Sequence, residues 1–250
     1  QEFEDILDKE WKKELAIIDK NRIEEYVEAI EFEKNIVHET NMEDYFIIDY
    51  KIVERAINKY GGYLTKTGRG SAVSFYINRL FGFTEVDRLK APVPLYPTRF
   101  MSKTRILQTK SLPDIDLNVI DQEPFIKATE DLLGKENCAW MLSYKPLQDS
   151  SAFRLWCKAL GMENDDYNEI AKKLDDYRDD KEWADIIEES KHFIGVVESV
   201  SPSPCSMLLY DKPVAKEIGI IRTKEGYCCL LDKNYCDKYK YLKNDYLIVN

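Results

Sequence analysis

The chain has 250 residues, 44% of them apolar, enough to bury one substantial core or two modest ones. It holds no run of about 18 apolar residues, so no membrane-spanning helix and no membrane partner are expected. The formal net charge of −10 argues at first against nucleic acid, but the way it is distributed reverses that argument. Six cysteines, at 138, 157, 205, 228, 229 and 236, show no zinc spacing, and His38 and His192 are the only histidines. They read as reduced thiols of a cytoplasmic protein rather than a structural metal cage. The chain opens on Gln rather than Met, which predicts a segment cut from something longer.

Residues 21–38 carry helical spacing, with Ile23, Tyr26, Val27, Ile30, Ile36 and Val37 on one face and acids on the other. Residues 43–60 predict a second helix that buries Ile52, Val53, Ala56 and Ile57 and stops at Gly61-Gly62. Tyr63-Leu64-Thr65 then reads as a short strand entering Gly68-Arg69-Gly70-Ser71. Small residues there let the backbone approach a ligand closely. Ser71 stands where a helix N-cap belongs, ahead of an apolar-periodic run from Ala72 to Phe81. An anion is at home at such a junction, and Arg69 adds a fork of donors. The ordinary alternative is a strand-turn-helix link with a capping serine. No lysine follows the glycine, so the pattern is not Walker's.

Nine basic residues lie between Lys66 and Leu112: Lys66, Arg69, Arg79, Arg88, Lys90, Arg99, Lys103, Arg105 and Lys110. Only Glu85 and Asp87 oppose them, leaving this stretch at about +7 and the rest of the chain at about −17. A polyanionic substrate and a solvated basic loop both fit that pattern. Pro92, Pro94 and Pro97 mark an extended passage. From 114 to 119 the chain alternates Asp, Ile, Asp, Leu, Asn, Val. On a strand, Asp114, Asp116 and Asn118 share one face, while Ile115, Leu117 and Val119 face the core. Same-face neighbours sit roughly 6.6 Å apart. Two carboxylates at that spacing can converge on two hard cations about 3.5–4 Å apart. A solvated acidic face on an edge strand is the alternative.

Downstream, Asp121 reads as the cap of a helix with Pro124 in its first turn and Gly134 at its end. Residues 145–191 change character to helical and strongly acidic, with Phe153, Trp156, Leu160, Ile170, Leu174, Trp183 and Ile187 as a small core. Strand-like runs follow at Phe193–Val200, Met207–Tyr210, Tyr227–Leu231 and Tyr241–Val249. In the last of these, Lys243 and Asp245 share one face, either as a surface pair or as the completion of a metal site. Sheet, helical insert, then sheet predicts a mixed α/β domain interrupted once: 1–144, 145–191 and 192–250.

Several of these segments resemble, in order, the palm and thumb of C-family DNA polymerases, the alpha subunit of bacterial DNA polymerase III. Asp44-Tyr45-Phe46-Ile47-Ile48 is similar to the family's DYFLIV helix, and Gly68-Arg69-Gly70-Ser71-Ala72 to its phosphate loop. The stretch from Phe81 to Lys90 is similar to LGITEVDPLK, Arg99-Phe100 to its arginine motif, and Pro113-Asp114-Ile115-Asp116 to PDIDID. Lys243-Asn244-Asp245 resembles the triplet that carries the third aspartate. The likeness covers most of 25–130, thins through 145–190 and returns up to Asp245.

The resemblance implies an α+β, polymerase-beta-like nucleotidyltransferase palm with a mixed sheet, interrupted by a small helical thumb. It implies two Mg2+ ions, with Mn2+ as a substitute, held by Asp114, Asp116 and Asp245. Gly68, Arg69, Gly70 and Ser71 would bind the nucleotide, and Arg99 and Lys243 would stabilise the charge that develops on it. The implied partners are primer-template DNA, deoxynucleoside triphosphates, and a sliding clamp or other replisome proteins. Where the family has a histidine followed by Ala-Gly, this chain has Ser203-Pro204-Cys205-Ser206, and its thumb segment keeps only Arg154 of the basic pattern. The chain stops five residues after Asp245, before the family's fingers, so the isolated piece is expected to polymerise weakly or not at all. Richness in Lys, Asn, Ile, Tyr and Asp points to an AT-rich genome such as a bacteriophage's. Two other readings stay open: a template-independent nucleotidyltransferase, and an inactive palm-derived assembly module.

Overall fold

The computed structural model describes residues 1–65, 68–108 and 112–249, so Lys66 and Lys110 of the basic stretch lie outside the described residues. The chain divides into two compact units. The first comprises Gln1–Leu142, Pro202–Arg222 and Tyr227–Asn250, and the second Ser143–Ser201 and Thr223–Gly226. No described helix is long and apolar enough to cross a membrane.

The first unit begins with helices α1 (Glu2–Glu14), α2 (Ile23–Thr40) and α3 (Glu43–Tyr60). The α2 and α3 helices follow the apolar spacing closely. The α3 helix ends at Gly61 in the left-handed conformation (φ 68°), which suits a residue without a Cβ. Short helices α4 (Tyr76–Leu80) and α5 (Lys103–Gln108) precede strand β1 (Asp116–Val119) and helix α6 (Glu123–Leu133). Strand β2 (Cys138–Pro146) leads into the second unit, whose helices are α7 (Asp149–Ala159), α8 (Asn164–Ala171) and α9 (Ala184–Ser190). Strand β3 (Val197–Leu209) leads back to α10 (Val214–Glu217), β4 (Ile220–Arg222), β5 (Tyr227–Cys229), α11 (Lys233–Tyr239) and β6 (Leu242–Ile248).

Four strands make a mixed sheet in the order β1-β6-β3-β2, and β4 and β5 form an antiparallel ribbon. The last strand in sequence sits inside the sheet, parallel to β1 and antiparallel to β3. The fold is therefore mixed α/β, as the sequence predicts.

Packing in the first unit centres on Phe46 of α3, which is fully buried. Its ring lies 5.9–6.4 Å from those of Phe3, Phe75, Phe81, Phe83 and Phe100. These rings come from α1, from the segment after the glycine loop and from the turn before α5. The cluster thus ties the loop-bearing segment to the helix beneath the sheet. The second unit has its own small core, in which Phe153 and Trp183 meet edge to face at 6.0 Å.

Some elements depart from expectation. The α1 helix, β2, β4 and α11 were not anticipated. Tyr63–Thr65 is not a strand but a single bridge, Leu64 to Val119. The residue at the start of α6 is Gln122, although the Asp121 carboxylate still accepts the Glu123 amide at 3.0 Å. The run after the glycine loop is broken into a three-residue 3-10 turn, Ala72–Ser74, and the five-residue α4. Ser71 makes no side-chain cap, so the loop does not end on a helix N-terminus and has no dipole to offer an anion. The reason is local: Phe75 is extended (ψ 118°) and interrupts the helical backbone between the two pieces.

Candidate active site

The site is built by register. Asp116 is the first residue of β1 and pairs directly with Asp245 on β6, which in turn pairs with Ser206 on β3. Three polar side chains therefore stand abreast across three strands. The Ser206 hydroxyl donates to Asp245 Oδ1. Two residues back along β6, Lys243 shares the face of Asp245, as the strand period requires. Its Nζ lies 2.5 Å from Asp114 Oδ1 and 3.7 Å from Asp245 Oδ2. Lys233, at the start of α11, reaches the other Asp114 oxygen at 3.5 Å.

The glycine loop closes over this row. Gly70 has φ +88°, and a Cβ built there would lie 2.0 Å from Asp116 Oδ2. A side chain at residue 70 would collide with the carboxylate, so glycine is required both by conformation and by close approach. The buried Asn118 holds the loop from below, its Nδ2 donating to the Arg69 carbonyl at 3.4 Å.

Electrostatics divide the carboxylates. Burial and then the charges of Asp245 and Asp114 raise Asp116 to about 6. For Asp114, burial works upward, but the Lys243 charge and hydrogen bond, with help from Lys233, hold it below its ordinary value. Burial would lower Lys243, yet the two carboxylates around it raise it, so it stays charged. The cluster is a buried cation among acids that repel one another.

The structure thus brings together Asp114, Asp116, Asp245, Lys243 and Gly70. It does not gather the acids into a cage. Among the described residues no group of three His, Cys, Asp or Glu side chains stands ready for a metal ion, and the Asp114 carboxylate is engaged by lysines. Arg69 and Arg99 are exposed, and their side chains have no partner among the described residues. The rest of the basic stretch is largely neutralised. Arg88 meets the fully buried Glu33 at 2.7 Å, Arg79 meets Glu14, Lys103 meets Glu39, and Lys90 meets Asp87. The sequence reading of this stretch as one polyanion surface therefore fails for these four cations, because acids distant in sequence, or a turn away, pair with them. Two site residues were missed: Ser206, noted only as a departure from a pattern, and Lys233, for which the sequence holds no signal.

A mixed sheet with facing carboxylates, a buried lysine between acids and a glycine loop laid on one carboxylate is equipment for handling phosphorylated substrates. Over residues 1–248 the sequence matches the family described as the bacterial DNA polymerase III alpha NTPase domain, and the chain belongs to that family. Among its relatives is the DNA polymerase III subunit alpha of Ureaplasma parvum, 24% identical over 241 residues, covering 89% of this chain and 24% of that protein. The subunit of Chlamydia muridarum is 26% identical over 219 residues, 80% of this chain and 17% of that protein. That of Mycoplasma genitalium is 29% identical over 154 residues, 61% of this chain and 15% of that protein. The chain thus spans about a quarter or less of the length of these curated relatives.

Proposed function

We propose that this chain is the nucleotidyl-transfer core of a DNA-directed DNA polymerase, adding deoxynucleotides to a primer 3′-hydroxyl. In this reading the first unit is the palm, of polymerase-beta-like type, and the second the thumb. The observation that carries the proposal is the direct pairing of Asp116 with Asp245, with Lys243 beside them and Gly70 against Asp116.

Three carboxylates offer the hard oxygen donors that Mg2+ prefers, and the mutual repulsion that raises Asp116 is what a divalent cation would relieve. Asp114, Asp116 and Asp245 would hold two such ions, which in this chemistry activate the attacking hydroxyl and neutralise the phosphates. Mn2+ would substitute. The chain's own groups do the rest. The loop Gly68-Arg69-Gly70-Ser71 approaches the triphosphate by backbone, while Arg69, Arg99 and Lys243 bring fixed positive charge to it. Substrates are deoxynucleoside triphosphates and primer-template DNA, and further replisome proteins such as a sliding clamp are partners of the whole polymerase.

Template-directed extension of a labelled primer tests this. Asp116→Asn or Asp245→Asn is expected to reduce extension by at least about a thousandfold with the melting temperature preserved. Near wild-type extension by either variant sinks the assignment, and extension indifferent to template sequence favours a template-independent transferase. One observation favours a second reading, an inactive assembly module: Asp114 is spent on Lys243 and Lys233 rather than facing Asp116. In the second unit, moreover, Arg154 is spent internally on Asn168 and Ser150. Mg2+-dependent nucleotide binding separates the two, since a module of that kind binds none.

A further inference from the structure

Two side chains on one face of α3 touch the two acid-bearing segments from behind. Asp114 precedes β1, so no strand neighbour holds its backbone. Instead the buried Tyr45 hydroxyl takes both flanking groups: it accepts the Ile115 amide at 3.1 Å and donates to the Pro113 carbonyl at 3.1 Å. A single hydroxyl thus supplies the pair of bonds that a neighbouring strand would give. One turn further along α3, the fully buried Asp49 accepts Asn244 Nδ2 on its Oδ1 at 2.5 Å. Asn244 lies between Lys243 and Asp245 and points to the opposite face of β6.

We infer that α3 is the alignment element of this site, with Tyr45 and Asp49 as positioning residues that set the Asp114 segment and the Lys243–Asp245 strand relative to one another. The inference rests on the reading of Asp114, Asp116 and Asp245 as the working acids. Residues four apart on a helix are neighbours at a fixed spacing, so the two segments are gauged by one rigid body. Burial keeps the Tyr45 hydroxyl protonated and therefore able to donate. Asp49 Oδ2 and Asn244 Oδ1 both lack a hydrogen-bond partner. A neutral Asp49 donating to the amide oxygen would satisfy both and close a two-bond ring, which explains why an acid tolerates this place.

The test uses the full chain with Mn2+ as probe. Tyr45→Phe keeps the ring and removes the hydroxyl. It is expected to speed amide exchange at Ile115 by about fivefold or more, the loss of one net hydrogen bond. It is also expected to weaken Mn2+ binding, read by electron paramagnetic resonance, by about tenfold, with circular dichroism unchanged. Asp49→Val should weaken Mn2+ similarly, and Asp49→Asn, which can still accept from Asn244, should stay within about twofold of wild type. Unaltered Ile115 exchange in Tyr45→Phe, or equal Mn2+ affinity in Asp49→Val and Asp49→Asn, overturns the inference. The functional reading fails separately, if wild type and Asp116→Asn bind Mn2+ alike, and the Ile115 exchange still decides the Tyr45 contact.

Discussion

Gly70 and Asp49 each join an unusual local chemistry to a definite place in the site. Gly70→Ala puts a methyl group where Asp116 Oδ2 now lies and does so at a positive φ. The backbone strain costs roughly 1 kcal/mol. The carboxylate must also move, so primer extension should fall at least about a hundredfold, more than the small loss in a urea melt would explain. Asp49 makes a pH prediction. Burial raises it from 3.8 to about 8, against the lowering effect of Asn244. The titratable groups facing it are Tyr45 and Tyr246, both raised and neutral across that range. Between those two values the folded chain keeps a proton that the unfolded chain has lost. Stability from this residue is therefore full below pH 4 and declines as pH rises toward 8, no faster than about 1.4 kcal/mol per pH unit. Asp49→Asn should flatten that slope in thermal melts at pH 5 and 8, and a parallel pH dependence in the two proteins would refute the assignment.

At the scale of elements, β6 is the informative strand. A strand inside a sheet normally reads as a continuous apolar run, yet Lys243, Asn244 and Asp245 are consecutive and all buried. Each has a partner: Asp114 for Lys243, Asp49 for Asn244 and Ser206 for Asp245. Buried polar groups cost free energy unless paired, so a polar triplet in a central strand marks function. Which acids pair with it was only partly legible. Alternation along one strand placed Lys243 with Asp245, but the Asp116–Asp245 register depends on a parallel pairing across more than 100 residues. Helix α3 anchors these parts through Phe46. Phe46→Ala removes a ring that meets five others and should cost about 3–5 kcal/mol in chemical denaturation. A loss below 1 kcal/mol would mean that the cluster is not the keystone of the first unit. The N-terminal helix α1 escaped the sequence reading because only Phe3, Ile6 and Leu7 of its thirteen residues are buried, too few for a clear period.

For the whole molecule, charge is the quantity that folding rearranges most. The basic stretch stands out in sequence as a likeness of a polyanion site, but four of its cations end in ion pairs with acids. Arg69 and Arg99 remain exposed and unpaired among the described residues. They should carry the stretch's contribution to duplex binding. In a salt titration of primer-template affinity, Arg69→Ala and Arg99→Ala should each flatten the logarithmic slope by about 0.9, and Lys103→Ala by much less. An equal effect of all three would mean that the Lys103–Glu39 pair opens on DNA.

Much was decided by sequence alone. Apolar periodicity and glycine stops set α2 and α3, and the alternation from Asp114 to Val119 correctly buried Ile115, Leu117 and Val119. The ordered motifs set the family. These are local patterns, written in a period of 3.6 or 2 that neighbouring residues suffice to express. Tertiary structure alone decided that Asp116 faces Asp245, that Lys233 and Lys243 share Asp114, and that Gly70 rests on a carboxylate. It also decided that Tyr45 stands in for a strand. Each is a contact between segments 46 to 129 residues apart, set by sheet order and helix packing, and no local spacing encodes it.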